Sequence, residues 1–324
     1  MNNFKKIGLS ALAGSLVAFS AHAGELSVSG SAGISISDSD TNGTTISGNQ
    51  FSMGDSITFS GSGEMDNGMS ISVKFELDGD AADATVDAGS EIYDDHSITL
   101  DTNGFGTITF AGHGGDSAMS ALDDVTPNAY EESWDGVAGA DADLVNGLSG
   151  NNMFTYKSPS FSGAVVTIGY LNASDAVTDV SYTDFAIAYS PEMVDGLTVG
   201  FGQGDTEAVT GTEVEDTAMY VKYTYGSMTV AYQENESDGA TAAEDIDFEA
   251  FGISYAVTDD LTIAYNQSES RVAGDSFTQE ATGISASFTS GGLTIAGMMN
   301  DVDNVAGDDT NDTEGYELNL SFAF

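Results

Sequence analysis

Apolar and polar residues alternate with a period of two along almost the whole chain, a pattern typical of strands with one apolar face. In the segment 69–78, Met69, Ile71 and Val73 alternate with Ser70, Ser72 and further polar residues. Sixteen such segments are predicted as strands, at 25–36, 52–65, 69–78, 94–102, 105–112, 152–158, 163–171, 181–190, 197–205, 216–225, 227–234, 246–256, 261–269, 279–289, 292–300 and 314–324. Because helical periodicity is nearly absent, the fold class is all-β.

The connections between these segments alternate between short turns and longer polar segments. Turns such as Asn103-Gly104 and Ser290-Gly291 alternate with eight longer segments rich in Asp, Gly and Thr. A soluble sandwich would mix long and short connections at each end and would have a polar outer face. A solenoid would show a fixed repeat period, and the sequence has none. An even number of strands with long loops on one rim predicts a transmembrane antiparallel β-barrel of 16 strands.

The N-terminus has the pattern of a secretory signal peptide. Lys5 and Lys6 precede an apolar core over 7–19, and Ala21-His22-Ala23 fits a small-residue cleavage site. The apolar run is short for a membrane-spanning anchor helix, which needs about 20 residues. The sequence therefore predicts a signal peptide at 1–23, cleavage after Ala23, and one exported barrel domain over 24–324.

The composition excludes several classes of function. The chain has 6 Lys plus Arg against 52 Asp plus Glu, a formal net charge of −46, so it cannot hold a nucleic-acid backbone. It contains no Cys, which rules out disulfides and thiol chemistry. Only His96 and His113 remain after signal removal, and neither a G-x-S-x-G nor an H-E-x-x-H motif occurs. We therefore expect a protein that is not an enzyme.

Three segments resemble the general trimeric porins of Gram-negative bacteria. The sequence Asn103-Gly-Phe-Gly-Thr-Ile-Thr-Phe is similar to the strand that leads into the third loop of that family. The sequence Asn152-Met-Phe-Thr-Tyr-Lys-Ser-Pro-Ser-Phe-Ser-Gly is similar to the segment after that loop. Leu320, Phe322 and Phe324 resemble the C-terminal signal read by the outer-membrane assembly machinery. The resemblance implies a homotrimer in the bacterial outer membrane, in contact with lipid and lipopolysaccharide, with the third loop folded into the lumen.

The segment 113–151 is the longest connection, and a long connection in a compact domain is usually functional. It contains the only tryptophan, Trp134, and no Lys or Arg. Its carboxylates are Asp116, Asp123, Asp124, Glu131, Glu132, Asp135, Asp141 and Asp143. The resemblance implies that this segment narrows the pore and that its acids line one side of the constriction. An outward loop with merely solvated acids is the alternative.

The side of the pore opposite these acids carries few basic residues. Related porins place a cluster of arginines there, and where that family often has Gly-Arg this chain has Gly112-His113. Strand parity points Lys74, His113, Lys157 and Lys222 into the lumen. A pore rich in carboxylates favours cations. We expect a cation-preferring channel for passive diffusion of ions and small hydrophilic solutes. The alternative is an adhesion or receptor barrel whose acidic loops bind partners.

Calcium is the one cofactor that the sequence suggests, and only weakly. Asp38, Asp40 and Asn42 match the first half of an EF-hand loop, but the twelfth position is Asn49 instead of Glu and no helices flank the segment. A further acidic segment over 301–314 could bind hard cations through oxygen ligands. For both segments we favour solvated outer loops over metal sites.

Overall fold

The structure is a computed structural model that describes residues 26–42, 44–45, 50–78, 93–123, 125–135, 145, 147–172, 180–208 and 213–324. Sixteen long strands form the main sheet. They are β1 (Leu26–Thr41), β2 (Gln50–Glu64), β3 (Ser70–Asp78), β4 (Asp95–Asp101), β5 (Thr107–His113), β6 (Met153–Lys157), β7 (Ala164–Leu171), β8 (Val180–Tyr189), β9 (Leu197–Ala208), β10 (Glu213–Tyr225), β11 (Met228–Asp238), β12 (Ile246–Ala256), β13 (Leu261–Val272), β14 (Gln279–Ser290), β15 (Leu293–Asp303) and β16 (Thr313–Ala323).

Each strand pairs antiparallel with its neighbours in the chain, and the last strand pairs with the first. Ile34 of β1 lies opposite Leu320 of β16, so the sheet closes into a barrel without a free edge. The long third connection does not interrupt the sheet, because Phe110 of β5 lies opposite Phe154 of β6. The predicted all-β fold class and the predicted strand number are both confirmed. Three short strands complete the strands that the structure describes: Thr44–Thr45, which pairs with β1, and Gly115–Asp116, which pairs with Ser149–Gly150.

Helical structure is limited to single turns. Within the described residues the only helices are two short 3₁₀ segments, Met119–Leu122 and Val305–Gly307. None of the described helices has the length and apolar character needed to cross a membrane.

The two faces of the sheet differ in the side chains that they carry. In β13, Ile263 and Tyr265 are exposed on the outer face, whereas Ala264, Asn266 and Ser268 are buried on the inner face. The same alternation runs through β11, β12, β14 and β15. The outer face is therefore apolar over a broad band, and the inner face is small or polar.

Several strands extend further toward the long-loop rim than the sequence predicts. β1 ends at Thr41 instead of residue 36, and β10 begins at Glu213 instead of residue 216. Alternation of apolar and polar residues marks only the part of a strand that has an apolar face. The backbone pairing between strands continues beyond it, through polar pairs such as Asp40 opposite Glu314. As a consequence, the connection between β9 and β10, at 209–212, is shorter than the connection at 190–196 on the opposite rim. The long segment predicted between β9 and β10 is therefore wrong.

The strands of two parts of the barrel differ in length. The part that we call the short wall consists of β3, β4, β5 and β6, which have 9, 7, 7 and 5 residues. The part that we call the long wall consists of β9 to β16, whose strands have 11 to 13 residues. Two-residue turns such as Gly226-Ser227 keep the long wall in register, and Gly226 supplies the positive φ of 59° that such a turn needs.

Candidate functional site

The segment that follows β5 packs against the inner face of the barrel. We call the described residues 117–123 and 125–135 the inner segment. Its first part buries Ala118, Met119 and Leu122 together with Ala186 of β8 and Ala218 of β10. The backbone N–H of Met119 donates a hydrogen bond of 2.7 Å to Oδ2 of the buried Asp184. This contact fixes the start of the inner segment to the wall.

Amide side chains of the long wall hold the middle of the inner segment. Gln233 of β11 accepts a hydrogen bond from the N–H of Val125 (3.2 Å) and donates one to the carbonyl oxygen of Asp123 (2.5 Å). Buried amides that bond to backbone in this way replace the hydrogen bonds that an irregular segment would otherwise lack.

The end of the inner segment is clamped between two strands. The N–H of Ser133 donates to Oδ1 of Asn266 (3.0 Å), and Nδ2 of Asn300 donates to the carbonyl oxygen of Ser133 (3.0 Å). Trp134, 1% exposed, meets the ring of Phe248 edge-on, with the ring centroids 5.3 Å apart. The tryptophan is thus a packing anchor for the segment.

Glycines on the inner face provide the space for these contacts. A Cβ atom on Gly202 would lie 2.3 Å from Cδ1 of Leu122, and one on Gly283 would lie 2.9 Å from Cβ of Ser133. Both distances are too short for non-bonded carbon atoms. Close packing of the inner segment therefore requires glycine at these two positions.

Tyr130 reaches across to the last strand. Its hydroxyl donates a hydrogen bond of 3.0 Å to Oε1 of Glu317 on β16. Burial and the nearby Glu317 carboxylate raise the pKa of Tyr130, so the phenol remains protonated and acts as the donor. The N–H of Ala129 also donates to Oγ of Ser285 on β14 (3.0 Å).

The predicted acids of the third loop fall into different environments. Asp116 and Asp135 are exposed, and Asp123 and Glu131 are half-buried. Glu132 is only 6% exposed and accepts a hydrogen bond from Asn128. The remaining predicted acids, Asp124, Asp141 and Asp143, lie outside the described residues.

Lys74 lies on the inner face of the short wall and is neutralised by its neighbours. Its Nζ is 2.8 Å from Oε2 of Glu76 and 2.8 Å from Oδ2 of Asp95. Glu76 and Asp95 are register partners on β3 and β4, so the two carboxylates share one ammonium group. At neutral pH this cluster carries a formal charge of −1. Strand parity predicted that Lys74 points into the lumen, but neither Glu76 nor Asp95 was predicted as part of the site.

A cleft of about 410 Å³ lies on the inner face where β1, β2, β3 and β16 meet. Serine is the most frequent residue in its lining, and Ser35 and Ser52 are hydrogen-bonded across the strands at 2.5 Å. The charged lining residues at inward positions are Glu76, Asp78 and Glu317, whereas Asp55, at the edge of the cleft, has the outward parity of Met53 and Ile57. Every charged side chain that lines this cleft is therefore acidic.

The other predicted basic residues lie elsewhere. Lys157 ends β6 at the short-turn rim, and Lys222 lies opposite Thr198 and the buried Ala231 near the same rim. Arg271, two residues beyond the predicted strand 261–269, is in β13 opposite Asp247.

A bulge interrupts the alternation that predicted an inward His113. The register shifts between His96 and Ser97, so His113 lies opposite His96. The two imidazole rings are nearly parallel with centroids 6.4 Å apart, and the Cα partner of His96 on β3 is the outward Phe75. His113 also bonds to the carbonyl oxygen of Asp94.

Two of the three residues suggested for a calcium loop are in a strand, and only Asn42 lies in a turn. Asp38 and Asp40 belong to β1 and lie opposite Tyr316 and Glu314. The side chain of Asn42 accepts a hydrogen bond from the N–H of Asp312 (2.9 Å). The EF-hand-like arrangement is therefore wrong for residues 38–41, because an extended strand cannot wrap around an ion. Among the described residues, no group of three or more His, Cys, Asp or Glu side chains could hold a metal ion.

The C-terminal residues lie on the outer face of the last strand. Leu320, Phe322 and Phe324 are all exposed, and the backbone of Phe324 exchanges two hydrogen bonds of 2.9 Å with Gly30 of β1. The C-terminus thereby closes the barrel at the short-turn rim.

Three amides in this site were missed by sequence reasoning. Gln233, Asn266 and Asn300 occupy buried inner positions of strands whose outer positions are apolar. The sequence did contain a signal for these contacts. A wall that only faces water can carry serine or alanine, so a long amide at such a position indicates a hydrogen-bond partner inside the barrel.

Comparison with known proteins gives a consistent result. The sequence profile of the family described as Gram-negative porin matches residues 8–276. An anion-selective porin from Comamonas acidovorans has a similar structure, with a TM-score of 0.66 at 14% identity over 93% of this chain and 99% of that one. OmpT of Vibrio cholerae lacking loop L8 gives a TM-score of 0.66 at 15% identity over 93% and 99%. A mutant porin from Rh. blastica gives 0.64 at 16% identity over 93% and 100%. No curated protein sequence gives a significant match.

The family match covers most of the chain, and the solved structures share its closed barrel of sixteen antiparallel strands. Proteins of this family are channels of the outer membrane, and they are typically not enzymes. The chain therefore belongs to the Gram-negative porin family and forms an outer-membrane channel.

Proposed function

We propose that this porin forms a water-filled, cation-preferring channel for the passive diffusion of ions and small hydrophilic solutes. The observation that carries the proposal is the charge of the inner face at the short wall. Lys74 is held between Glu76 and Asp95, and the adjacent cleft is lined by acids without a lysine or arginine. Cations entering this region meet a negative potential.

The sign of the selectivity follows from charge and not from fold. The Comamonas porin shares the barrel and is described as anion-selective. A pore wall of one sign concentrates ions of the opposite sign and raises their entry rate. Salt weakens the effect, because the Debye length falls from about 10 Å at 0.1 M to about 3 Å at 1 M.

We propose that the inner segment narrows the channel. Its hydrogen bonds to Asp184 of β8 and to Gln233, Asn266 and Asn300 of the long wall tie it to the inner face of the barrel. The passage would then lie between this segment and the serine-lined cleft near β1 to β3. The exposed carboxylates Asp116 and Asp135 would add to the negative charge of the passage.

We propose that the protein is a homotrimer that associates through the short wall. A strand needs about 9–11 residues to cross the hydrocarbon core. β4, β5 and β6 have only 7, 7 and 5 residues, so lipid would meet incompletely paired backbone there. Neighbouring subunits would cover this part of the barrel.

The route to the membrane is the remaining part of the proposal. Residues 1–23, outside the described part of the chain, would direct export and be removed after Ala23. The exposed Leu320, Phe322 and Phe324 would then be recognised by the assembly machinery. The mature barrel, residues 24–324, would be surrounded by lipid and lipopolysaccharide.

The test is a reversal-potential measurement on the mature chain, refolded in detergent and inserted into planar bilayers in a KCl gradient. We expect a potential of cation-selective sign. A quadruple variant, Asp116→Asn, Asp123→Asn, Glu131→Gln and Asp135→Asn, should lower the preference at 0.1 M KCl.

The matched control neutralises four acids that lie on the outer face: Glu249→Gln, Glu269→Gln, Glu280→Gln and Asp303→Asn. Removal of these charges should leave the potential close to that of the native protein. Equal effects of the two variants would contradict a role of the third-loop acids in selectivity. A folded, heat-modifiable barrel that never conducts would instead favour the adhesion or receptor function.

A further inference from the structure

The two histidines outside the predicted signal peptide lie side by side on the barrel. The chain has three histidines, and His22 belongs to residues 1–23. His96 of β4 and His113 at the end of β5 are register partners, and their rings are nearly parallel, with an interplanar angle of 11° and centroids 6.4 Å apart. Every histidine of the predicted mature chain therefore takes part in one contact.

The bulge in β5 creates this contact. Ser97 lies opposite Ala111, so in a regular ladder Gly112 would lie opposite His96, but the register shift brings His113 there instead. A Cβ atom on Gly112 would lie only 2.2 Å from Nε2 of His96, so glycine leaves the space that this ring occupies. Bulges that redirect a side chain in this way are common next to functional sites.

The hydrogen bonds of the pair leave ring nitrogens available to a ligand. Nδ1 of His113 bonds to the carbonyl oxygen of Asp94, and because a carbonyl only accepts, Nδ1 donates its proton. Nε2 of the uncharged His113 ring then carries a lone pair, which is the usual arrangement of a metal-binding histidine. Nδ1 of His96 is buried and has no hydrogen-bond partner in the part of the chain that the structure describes.

We propose that His96 and His113 bind a divalent transition-metal ion, such as Cu²⁺, Zn²⁺ or Ni²⁺, through one nitrogen of each ring. Imidazole suits these ions, whereas Ca²⁺ and Mg²⁺ prefer oxygen ligands. Two rings that each place a nitrogen about 2.1 Å from one ion have centres about 6 Å apart, close to the observed separation. The described residues contain no group of three or more His, Cys, Asp or Glu side chains that could hold an ion, so water would complete the coordination.

The surroundings of the pair separate it from the acidic parts of the surface. Phe75 and Tyr93 are its aromatic neighbours, and the ring centroids of Tyr93 and His96 are 6.1 Å apart. Asp95 lies on the inner face, where its Oδ2 is 2.8 Å from Nζ of Lys74. Tyr93 and Asp94 are exposed, so water at the long-loop rim gives an ion access to the pair. Recognition would thus depend on nitrogen donors instead of carboxylates.

A bound ion would act at the base of the third loop. His113 ends β5, and the short strand Gly115–Asp116 begins two residues later. An ion shared with His96 would link β4 to the residue from which the loop leaves the barrel. The site is on the outer side of the sheet, so the proposal does not depend on the selectivity of the channel or on its oligomeric state.

The test is electron paramagnetic resonance of Cu²⁺ bound to the refolded mature barrel, prepared without a histidine tag and with Mg²⁺ in excess. Mg²⁺ occupies carboxylates but does not compete for imidazole. We expect one equivalent of Cu²⁺ with the nitrogen couplings of two imidazoles, and displacement of Cu²⁺ by Zn²⁺ at higher concentration.

Variants assign the signal to the pair. His96→Phe and His113→Phe should each leave the coupling of one imidazole and weaken Cu²⁺ binding by at least about tenfold, because loss of even an outer partner of a metal ligand costs that much. The double variant measures binding by the remaining carboxylates and the N-terminal amine. Tyr93→Phe and Asp94→Asn are the matched controls, and both should bind as the native chain does, because Asp94→Asn keeps the backbone carbonyl.

Three results would overturn the proposal. A native spectrum with oxygen ligands only, or with one imidazole, would show that the pair does not share an ion, and this reading needs no variant to fold. Equal Cu²⁺ affinity of the native chain and the double variant would place the ion elsewhere. Loss of binding in Asp94→Asn as large as in the histidine variants would make the carboxylate the ligand. Heat-modifiable mobility on gels verifies that each variant is folded, and His96→Gln replaces His96→Phe if the latter does not refold.

Discussion

The short wall and the long wall of this barrel differ on both faces. Outward side chains of the short-wall strands, such as Phe75, Ile98, Ile108 and Phe154, are apolar apart from His96 and His113, and none of those in the described residues is a carboxylate. Outward side chains of the long wall are apolar over the lower part only. Above it they become acidic, with pairs such as Glu249 opposite Glu269. The long wall therefore spans from lipid into water, whereas the short wall has no such upper part.

The inner faces differ in a complementary way. The long wall carries small residues and amides on which the inner segment packs, such as Gly283, Gln233 and Asn266. The short wall carries the charged cluster of Lys74, Glu76 and Asp95. On the proposed function, the long wall would determine how wide the passage is, and the short wall would contribute to its charge. Substitutions in either wall can test this division.

The largest effect is expected from removal of the amide anchors on the long wall. Gln233→Leu combined with Asn266→Leu leaves the N–H groups of Val125 and Ser133 without partners. Each unpaired buried group costs about 1–3 kcal/mol. The inner segment should detach, and the single-channel conductance should rise and become noisy.

The control for this double variant is Thr294→Leu, on the inner side of β15, where the threonine bonds only to Thr289 across the strands. It should keep the native conductance. A double variant with native, quiet conductance would show that the anchors do not determine the width of the passage.

The next effect concerns the outer faces of the two walls. Ile98 on the short wall and Ile263 on the long wall are 47% and 44% exposed in the single subunit. Fluid lipid can accommodate a tryptophan, but a packed subunit interface cannot do so without overpacking, which costs about 1–3 kcal/mol. Ile98→Trp should lower the temperature at which the proposed trimer dissociates on gels, and Ile263→Trp should not. Equal behaviour of the two variants would remove the reason to place the subunit contact at the short wall.

The sequence predicted the barrel well because period-two alternation acts over the whole chain. All sixteen strands were found, and their errors are concentrated at the long-loop rim. There, strands such as β1 and β10 continue as polar ladders that hydrophobicity does not mark. The alternation of apolar and polar residues also cannot reveal a bulge, so it could not predict the orientation of His113.

The candidate site was predicted less completely, because it depends on which strands face each other. The ion pair of Lys74 with Asp95 joins β3 and β4, and the clamp on Ser133 joins β13 and β15. No local pattern indicates that these particular side chains meet. The high acid content also hid the difference between exposed acids such as Asp135 and buried ones such as Glu132.

The smallest effect is expected from single lysines. Lys74→Met leaves Glu76 and Asp95 without their shared cation, so the cluster changes from a formal charge of −1 to −2. The added unit charge would lie about 7 Å from the ion path. Its screened Coulomb interaction with a passing ion in water corresponds to about a twofold rise in the K⁺ to Cl⁻ permeability ratio at 0.1 M salt. Lys222→Met removes the same charge near the short-turn rim, away from this cluster, and should change the ratio less. If Lys222→Met has the larger effect, the narrow part of the channel lies near that rim and not at the short-wall cluster. If both effects persist at 1 M KCl, screened electrostatics cannot be their cause, because the Debye length there is only about 3 Å.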